Sequence, residues 1–293
     1  MSKEKRRFGD RRDGKLIRQQ DGMHLIMPMI YPNRCDNEAF ISERIDLTNI
    51  DKYLAAKNAE NPEFKYTLFH LIVAAILKTI ILRPKLNRFI ANKNNYQRNT
   101  YSASFVVKKH FDDNSEEGMA FIYATEDSTI DSLHEELRRQ IYREKKSDGA
   151  GNATSNTMDI LNKLPRWFVK FFIWLMRQLD RHGIVPQPII EADPYYASVI
   201  LSNLGSIKLR SGYHHLTNWG TCSLFCVIGE KKWTPLYDEH GLVEMRETVD
   251  LGLTVDERIA DGYYYSKSIR LFKHLLEHPE LLEQPMNTEV EYD

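Results

Sequence analysis

The sequence predicts a mixed α/β domain, because two kinds of hydrophobic periodicity occur along the chain. Residues 40–46 alternate between apolar and polar side chains, and the short apolar runs at 198–201 and 224–228 have the length of strands. Residues 67–82 instead carry apolar side chains at spacings of three and four, which is typical of a helix that is buried on nearly every side. Strands therefore occur in both halves of the chain, and we find no internal repeat.

The composition excludes several classes of protein. The 293-residue chain has 42% hydrophobic residues, enough for a sizeable core, and a formal net charge of -1. No global field attracts nucleic acid or an anionic membrane, so we expect no nucleic-acid partner. The three cysteines, Cys35, Cys222 and Cys226, lack the spacing of a disulfide framework, and we expect a reduced, cytoplasmic protein. We expect neither a signal peptide nor a membrane-spanning segment.

Charge is distributed unevenly at the two ends of the chain. Residues 1–22 are polar, with eight basic against three acidic residues up to Arg18, and we expect them to form a flexible basic arm. Residues 286–293 are predicted to be an acidic tail. Solvation explains both segments, and docking of the arm onto a neighbouring subunit or an acidic partner is the alternative.

A charged turn joins the last predicted strand, residues 249–255, to the last predicted helix, which begins near Tyr264. The turn reads Asp256-Glu257-Arg258-Ile259-Ala260-Asp261-Gly262. It resembles the signature of the chloramphenicol acetyltransferase superfamily, and specifically the form D-H-R-x-x-D-G of the acyltransferase cores of 2-oxo-acid dehydrogenase complexes. Asp256, Arg258, Asp261 and Gly262 match that form, whereas Glu257 stands in the position of the catalytic histidine.

Three further stretches resemble the same superfamily. The segment Ser202-Asn203-Leu204-Gly205 looks like the family's ser-x-leu-gly turn, and Ser202 precedes Glu257 by 55 residues. Residues 83–89 resemble the pro-x-leu-asn stretch that follows the long buried helix. Arg34 stands where the family has an arginine near the N-terminus.

The resemblance implies a single domain, residues 23–285, interrupted by an atypical segment at 147–193. Its fold would be a two-layer sandwich, with a mixed β-sheet and helices on one face, assembled as a homotrimer with active sites between subunits. The resemblance implies no bound cofactor. It implies a CoA or lipoyl thioester as the acyl donor, with an acceptor that the sequence does not identify.

The resemblance also implies roles for individual residues. In the family the motif histidine is the base, so Glu257 would take that role here, and Ser202 would donate a hydrogen bond to the oxyanion. Arg34 would hold Asp261, which fixes the turn. Supporting roles would fall to Asp256, Arg258, Asn203 and Gly262.

Glu257 leaves two functions open. A carboxylate can accept a proton, but glutamate has a reference pKa of about 4.3 against about 6.5 for histidine, a deficit of roughly 3 kcal/mol in proton-transfer driving force. The first function is an acyltransferase with Glu257 as an unusual base. The second is a catalytically inactive trimeric homologue that serves as a scaffold or acyl-ligand binder, in which Glu257 forms a salt bridge or caps the last helix. His214 and His215 are candidate replacement bases, although a surface loop explains them more simply.

The atypical segment contains a predicted flexible joint at 147–152 and an amphipathic helix at 164–180. The helix carries a narrow basic arc and a broad face of Trp, Phe and Leu side chains. Three interpretations remain open for it. It packs on the domain or a sister subunit, it forms the wall of an acyl-chain pocket, or it makes peripheral contact with a membrane surface.

Overall fold

The computed structural model describes residues 6–108, 117–146, 163–238 and 240–292, and the predicted joint at 147–152 lies outside them. Within these ranges the strands are β1 (Gly14–Leu16), β2 (Glu38–Asp46), β3 (Arg88–Ala91), β4 (Asn94–Arg98), β5 (Tyr101–Lys108), β6 (Glu117–Ala124), β7 (Val199–Asn203), β8 (Leu224–Tyr237) and β9 (Val243–Asp256). The α-helices are α1 (Gly22–Ile30), α2 (Thr48–Lys57), α3 (Leu68–Leu82), α4 (Ile130–Lys146), α5 (Arg166–Arg181), α6 (Gln187–Ala192) and α7 (Gly262–Glu277).

Six strands form a mixed sheet in the order β2-β9-β8-β7-β5-β6. β7 runs parallel to both β5 and β8, and the remaining neighbours are antiparallel. The main hydrophobic core joins one face of this sheet to α3, α4 and α7. The predicted two-layer α/β sandwich is therefore confirmed.

Helix α3 lies at the centre of the core, and every residue from 70 to 81 is buried, as its apolar periodicity predicts. The buried set includes Lys78, whose Nζ donates hydrogen bonds to the carbonyl oxygens of Leu281 (2.8 Å) and Pro285 (3.1 Å). Met286 is also fully buried, and its N–H donates to the carbonyl of Ser128 at 2.9 Å. The prediction of a solvated tail over 286–293 is wrong at its start, because the apolar side chain of Met286 is buried in the main core and its backbone is hydrogen-bonded.

The N-terminal segment is also ordered, so the prediction of a flexible arm over residues 1–22 is wrong from residue 6 onward. β1 pairs with β4 in a small three-stranded sheet. Arg11 is only 3% exposed, and its guanidinium forms ion pairs with Asp13 and Asp180, each at 2.8 Å. A buried guanidinium with two carboxylate partners fixes the segment to the domain, which its basic composition does not reveal.

His70 closes the first turn of α3. Its Nδ1 accepts the backbone N–H of Thr67 at 3.0 Å, the position that Glu or Gln takes in a capping box. The ring lies 4.9 Å from that of His134, meets Phe64 edge-on at 5.3 Å and is tilted against Tyr66 at 6.0 Å. Burial, with a smaller contribution from His134, lowers the pKa of His70 to about 3. The histidine is therefore neutral in the folded protein at pH 7.

His70 is expected to make the fold sensitive to acid. A histidine whose pKa is lowered by folding contributes stability that is present above its unfolded pKa, about 6.5, and is lost as the pH falls toward 3. Between pH 6.5 and 4.5 this loss is on the order of 2–3 kcal/mol. The variant His70→Gln keeps an acceptor for Thr67 but cannot ionise, so its free energy of unfolding should fall much less over this range. Urea unfolding at the two pH values measures the difference.

His278→Gln is the matched control for that measurement, because the side chain of His278 is 48% exposed. It should leave the pH dependence of the wild type unchanged. Identical pH dependence in the wild type and His70→Gln would contradict the assignment.

Candidate active site

A buried charge network holds the turn after β9. Asp256 is fully buried, and Arg258 donates to both of its oxygens, with Nε–Oδ1 at 2.8 Å and Nη2–Oδ2 at 2.7 Å. The Nε of Arg34, a residue that is 5% exposed, lies 3.6 Å from Asp256 Oδ2. Two guanidinium groups therefore share one carboxylate, and burial lowers the pKa of Arg34.

Backbone carbonyls accept further hydrogen bonds from the two arginines. Arg34 donates to Thr217 (2.6 Å) and Ile90 (3.1 Å), and Arg258 donates to Tyr31 (2.9 Å) and Pro32 (3.1 Å). The network thus ties the turn to the loop before β2, to β3 and to the loop before β8.

Arg34 pairs with Asp256 and not with Asp261, so the predicted Arg34–Asp261 pair is wrong. Asp261 is exposed and caps α7, where its Oδ1 accepts the backbone N–H of Tyr264 at 2.8 Å. This hydrogen bond is the largest cause of a lowered pKa for Asp261. The physical reason is burial. A buried arginine requires a buried carboxylate, whereas a carboxylate at a helix start is satisfied by backbone donors. Gly262 follows as the first residue of α7.

Glu257 projects from this fixed backbone. Its N–H donates to the carbonyl of Asn37 at 3.0 Å, and the buried amide of Asn37 donates in turn to the carbonyl of Asn33 at 2.7 Å. The side chain of Glu257 is exposed and has no hydrogen bond or ion pair to any residue that the structure describes. Glu257 therefore forms no salt bridge with a described residue. It does not cap α7 either, because the N-cap of that helix is Asp261.

The carboxylate of Glu257 borders an open groove of about 740 Å³ between α1, β2 and α7. The groove has mainly apolar walls, and an ion pair between Lys273 and Glu43 (3.0 Å) lies along it. Its lining includes Met23, Met27, Ile41, Tyr265, Ile269 and Arg270. A groove with this size and lining can hold an elongated organic ligand next to the carboxylate.

Ser202 lies far from Glu257 within one chain. It pairs with Val227, and Val227 pairs with Gly252, five residues before Glu257. Two strand spacings and five residues of strand amount to roughly 20 Å. Ser202 also shares the face of β7 with Ile200, which packs on the side of the sheet away from the main core. The two predicted catalytic residues are therefore not brought together in a single copy.

The turn after Ser202 packs so closely on β8 that it requires a glycine at position 205. Asn203 is exposed at the end of β7, and a 3-10 turn follows over Leu204–Ile207. A Cβ on Gly205 would lie 2.5 Å from the carbonyl oxygen of Gly229, so only glycine fits without movement. The half-buried hydroxyl of Ser202 is thus presented by a turn with little freedom.

The candidate replacement bases, His214 and His215, and the two buried cysteines lie apart from the groove. His214 and His215 are exposed in a loop, and His214 stacks on Phe225 with ring centroids 4.4 Å apart. Burial raises the pKa of the Cys222 thiol and raises that of Cys226 to about 12. Both thiols are therefore protonated at neutral pH and poor nucleophiles.

No protein-family model and no curated protein matches this chain. Solved structures do match it. A probable dihydrolipoamide acetyltransferase from Listeria monocytogenes aligns with 95% of this chain and 99% of its own, with a TM-score of 0.57 and 15% identity. A dihydrolipoamide acetyltransferase from Azotobacter vinelandii has a TM-score of 0.57 and 14% identity, with coverages of 90% and 93%. A chloramphenicol acetyltransferase aligns with 90% of this chain and 98% of its own, with a TM-score of 0.50 and 12% identity.

The chain has the chloramphenicol acetyltransferase-like fold. The resemblance read from the turn at 256–262 is therefore confirmed at the level of the fold. Among the described residues, no helix combines the length and the apolar character needed to cross a bilayer.

Sequence reasoning missed two parts of the site. Asn37 fixes the backbone of Glu257, and no spacing in the sequence links the two residues. Met23 and Met27 on α1 line the groove, although residues 25–27 read only as a short apolar piece ended by Pro28. The signal that could have revealed this wall of the groove is an apolar helix face in the sequence just before the charged loop at 33–37.

Proposed function

We propose that the protein is an acyltransferase that moves an acyl group from a CoA or lipoyl thioester to an acceptor nucleophile. Glu257 is the base, and Ser202 donates a hydrogen bond to the oxyanion. The observation that carries this proposal is the Glu257 carboxylate, which has no partner among the described residues and is held beside the groove by a buried network that fixes its backbone. Such a costly network below an exposed carboxylate is typical of a positioned functional group.

The spacing of the candidate residues supports the assignment. In the Azotobacter vinelandii acetyltransferase, a serine, a histidine and an asparagine have been investigated for their roles in the catalytic mechanism. The serine precedes the histidine by 52 residues, and the asparagine follows it by four. Here Ser202 precedes Glu257 by 55 residues and Asp261 follows it by four. Asp261 therefore stands at the spacing of that asparagine, and in this chain it is the N-cap of α7.

The active site is proposed to form between two copies of the chain in a homotrimer. Ser202 and Glu257 lie roughly 20 Å apart in one copy, too far to act on one carbonyl. A neighbouring copy that places its Ser202 over the groove would complete the site. The fold neighbours include the cubic core of a pyruvate dehydrogenase complex, which is consistent with assembly of this fold into oligomers.

The chemistry follows from these positions. Glu257 accepts the proton of the acceptor hydroxyl, thiol or amine as the acceptor attacks the thioester carbonyl. A carbon–nucleophile bond forms, and the carbonyl π electrons move to the oxygen, which the Ser202 hydroxyl stabilises. Collapse of the intermediate breaks the carbon–sulfur bond, and Glu257 returns the proton to the leaving thiolate.

A catalytically inactive trimeric homologue that binds an acyl ligand or serves as a scaffold is the second candidate. The observation that favours it is the glutamate at position 257, because a carboxylate is a weaker base than the imidazole that the family has there. In that case the groove still binds ligand, but Glu257 contributes nothing to turnover.

The test is thioester consumption by purified protein with a panel of acyl-CoAs and with dihydrolipoamide, alcohol and amine acceptors. Ser202→Ala is expected to lower the rate by about 100-fold or more, since it removes an oxyanion donor. The matched control is Ser42→Ala, which removes an exposed serine hydroxyl from β2 and should leave the rate unchanged. Thioester loss no faster than that of Ser202→Ala, across the whole panel, would exclude the acyltransferase.

A further inference from the structure

Helix α5 rests on the domain by one face only. Met176 is its single buried residue, and Val169, Phe172 and Leu179 on the same face are half-buried. The C-terminal end is fixed, because Asp180 accepts hydrogen bonds from Arg11 (2.8 Å) and from the hydroxyl of Tyr196 (3.0 Å). The preceding turns project their opposite face into solvent.

Three aromatic side chains lie on that solvent face. Trp167 is 70% exposed, Phe171 53% and Trp174 55%. At 100° per residue they occupy an arc of roughly 60°. The rings of Phe171 and Trp174 stack with centroids 5.9 Å apart, and Trp167 precedes Phe171 by one helical turn on the same face. Exposed apolar surface of this kind marks a site of interaction.

A basic stripe runs directly beside the aromatic one. It consists of Arg166, Lys170, Arg177 and Arg181, which span a further arc of roughly 60° next to Trp174. All four are exposed, and none has a carboxylate partner in the described part of the chain. Arg181 donates to the amide oxygen of Asn92, at 2.9 Å. The solvent face of α5 therefore pairs four positive charges with three exposed aromatic rings.

We propose that α5 binds the surface of an anionic lipid bilayer and lies in the plane of the interface. The Trp and Phe rings would insert at the boundary between headgroups and acyl chains, and the arginines and lysine would contact lipid phosphates. The net charge of -1 excludes long-range attraction by the whole protein, but screening confines the relevant charges to those within about 10 Å of the surface. The basic stripe supplies four such positive charges. This inference does not depend on the proposed acyl transfer.

Charge decides between the bilayer and the other occupants considered for this helix. A contact of this face with a sister subunit would bury four positive charges that have no carboxylate partner among the described residues, and the cores of protein interfaces are depleted of charge. No residue of α5 lines the groove beside Glu257, so α5 is not a wall of that groove. Anionic lipid supplies both an apolar layer for the rings and phosphates for the cations.

The experiment is flotation of the purified full-length protein with two kinds of vesicle. One is phosphatidylcholine alone, and the other is phosphatidylcholine with about 30% phosphatidylglycerol, which gives the surface a negative charge. The wild type should float only with the anionic vesicles, and less so as salt is raised. Trp167→Ala/Trp174→Ala and Lys170→Glu/Arg177→Glu should each lower the partition coefficient by about tenfold or more.

Two controls match these variants. Trp233→Ala removes a tryptophan that is 68% exposed on β8, and Lys52→Glu/Lys65→Glu makes the same charge change elsewhere on the surface. Both should bind as the wild type does. Circular dichroism and size-exclusion chromatography with light scattering establish fold and oligomeric state. The proposal is overturned if wild-type protein does not float with anionic vesicles, if the α5 variants bind equally well, or if Trp167→Ala/Trp174→Ala instead dissociates an oligomer.

Discussion

Replacing Asp256 with asparagine is expected to lower the free energy of unfolding by about 3–5 kcal/mol. Asp256 is the carboxylate shared by Arg34 and Arg258, and all three side chains are buried. Without its charge, two guanidinium groups remain close together away from water with no counter-ion. Urea unfolding monitored by circular dichroism measures the loss.

The other aspartate of the same turn is the matched control. Asp261→Asn keeps a good N-cap residue at the start of α7, so we expect a change of no more than about 0.5 kcal/mol. The family resemblance alone would predict the reverse order, with Arg34 holding Asp261. Equal losses for the two variants, or a larger loss for Asp261→Asn, would contradict the network described here.

Replacing Glu257 with alanine is expected to lower thioester consumption by about 100-fold or more, because a general base contributes rate factors of that order. Its stability should not change, since the side chain has no partner among the described residues. Glu43→Ala is the control, because it removes another carboxylate from the same groove, one paired with Lys273.

Glu257→His tests the chemistry from the other direction. An imidazole at this position should support turnover that declines below about pH 6.5, as the histidine becomes protonated. If Glu257→Ala and the wild type consume thioester at the same rate, Glu257 is not the base and the non-catalytic function is favoured.

Much of the fold could be predicted from the sequence, because its signals are local. The apolar period of residues 67–82 reports burial on all sides, and α3 is buried throughout. The run at 249–255 and the turn that follows mark β9 and the start of α7. Ser202, Glu257 and Asp261 are candidate site residues by the order and spacing of the family-like motifs, and their roles stay predictions.

Features that depend on distant partners could not be predicted. Arg11 looks like part of a solvated basic arm until Asp180 is placed beside it, 169 residues away. The segment from Trp233 to Leu242 reads as a polar turn, yet β8 and β9 pair as far as Tyr237 and Val243. Cross-strand pairing stabilises these residues, and their own composition does not signal it. The choice of Asp256 as the partner of Arg34 is likewise a matter of burial, which residue spacing does not encode.

The most direct test of the account is subunit mixing, because its central claim is an active site with Ser202 from one copy and Glu257 from another. Ser202→Ala and Glu257→Ala should each be inactive alone. Co-expressed in equal amounts and purified together through two different tags, they should recover about a third of wild-type activity, since one of the three interfaces in every mixed trimer joins an intact Ser202 to an intact Glu257. A mixed oligomer that forms but consumes no more thioester than its two parents would contradict the claim.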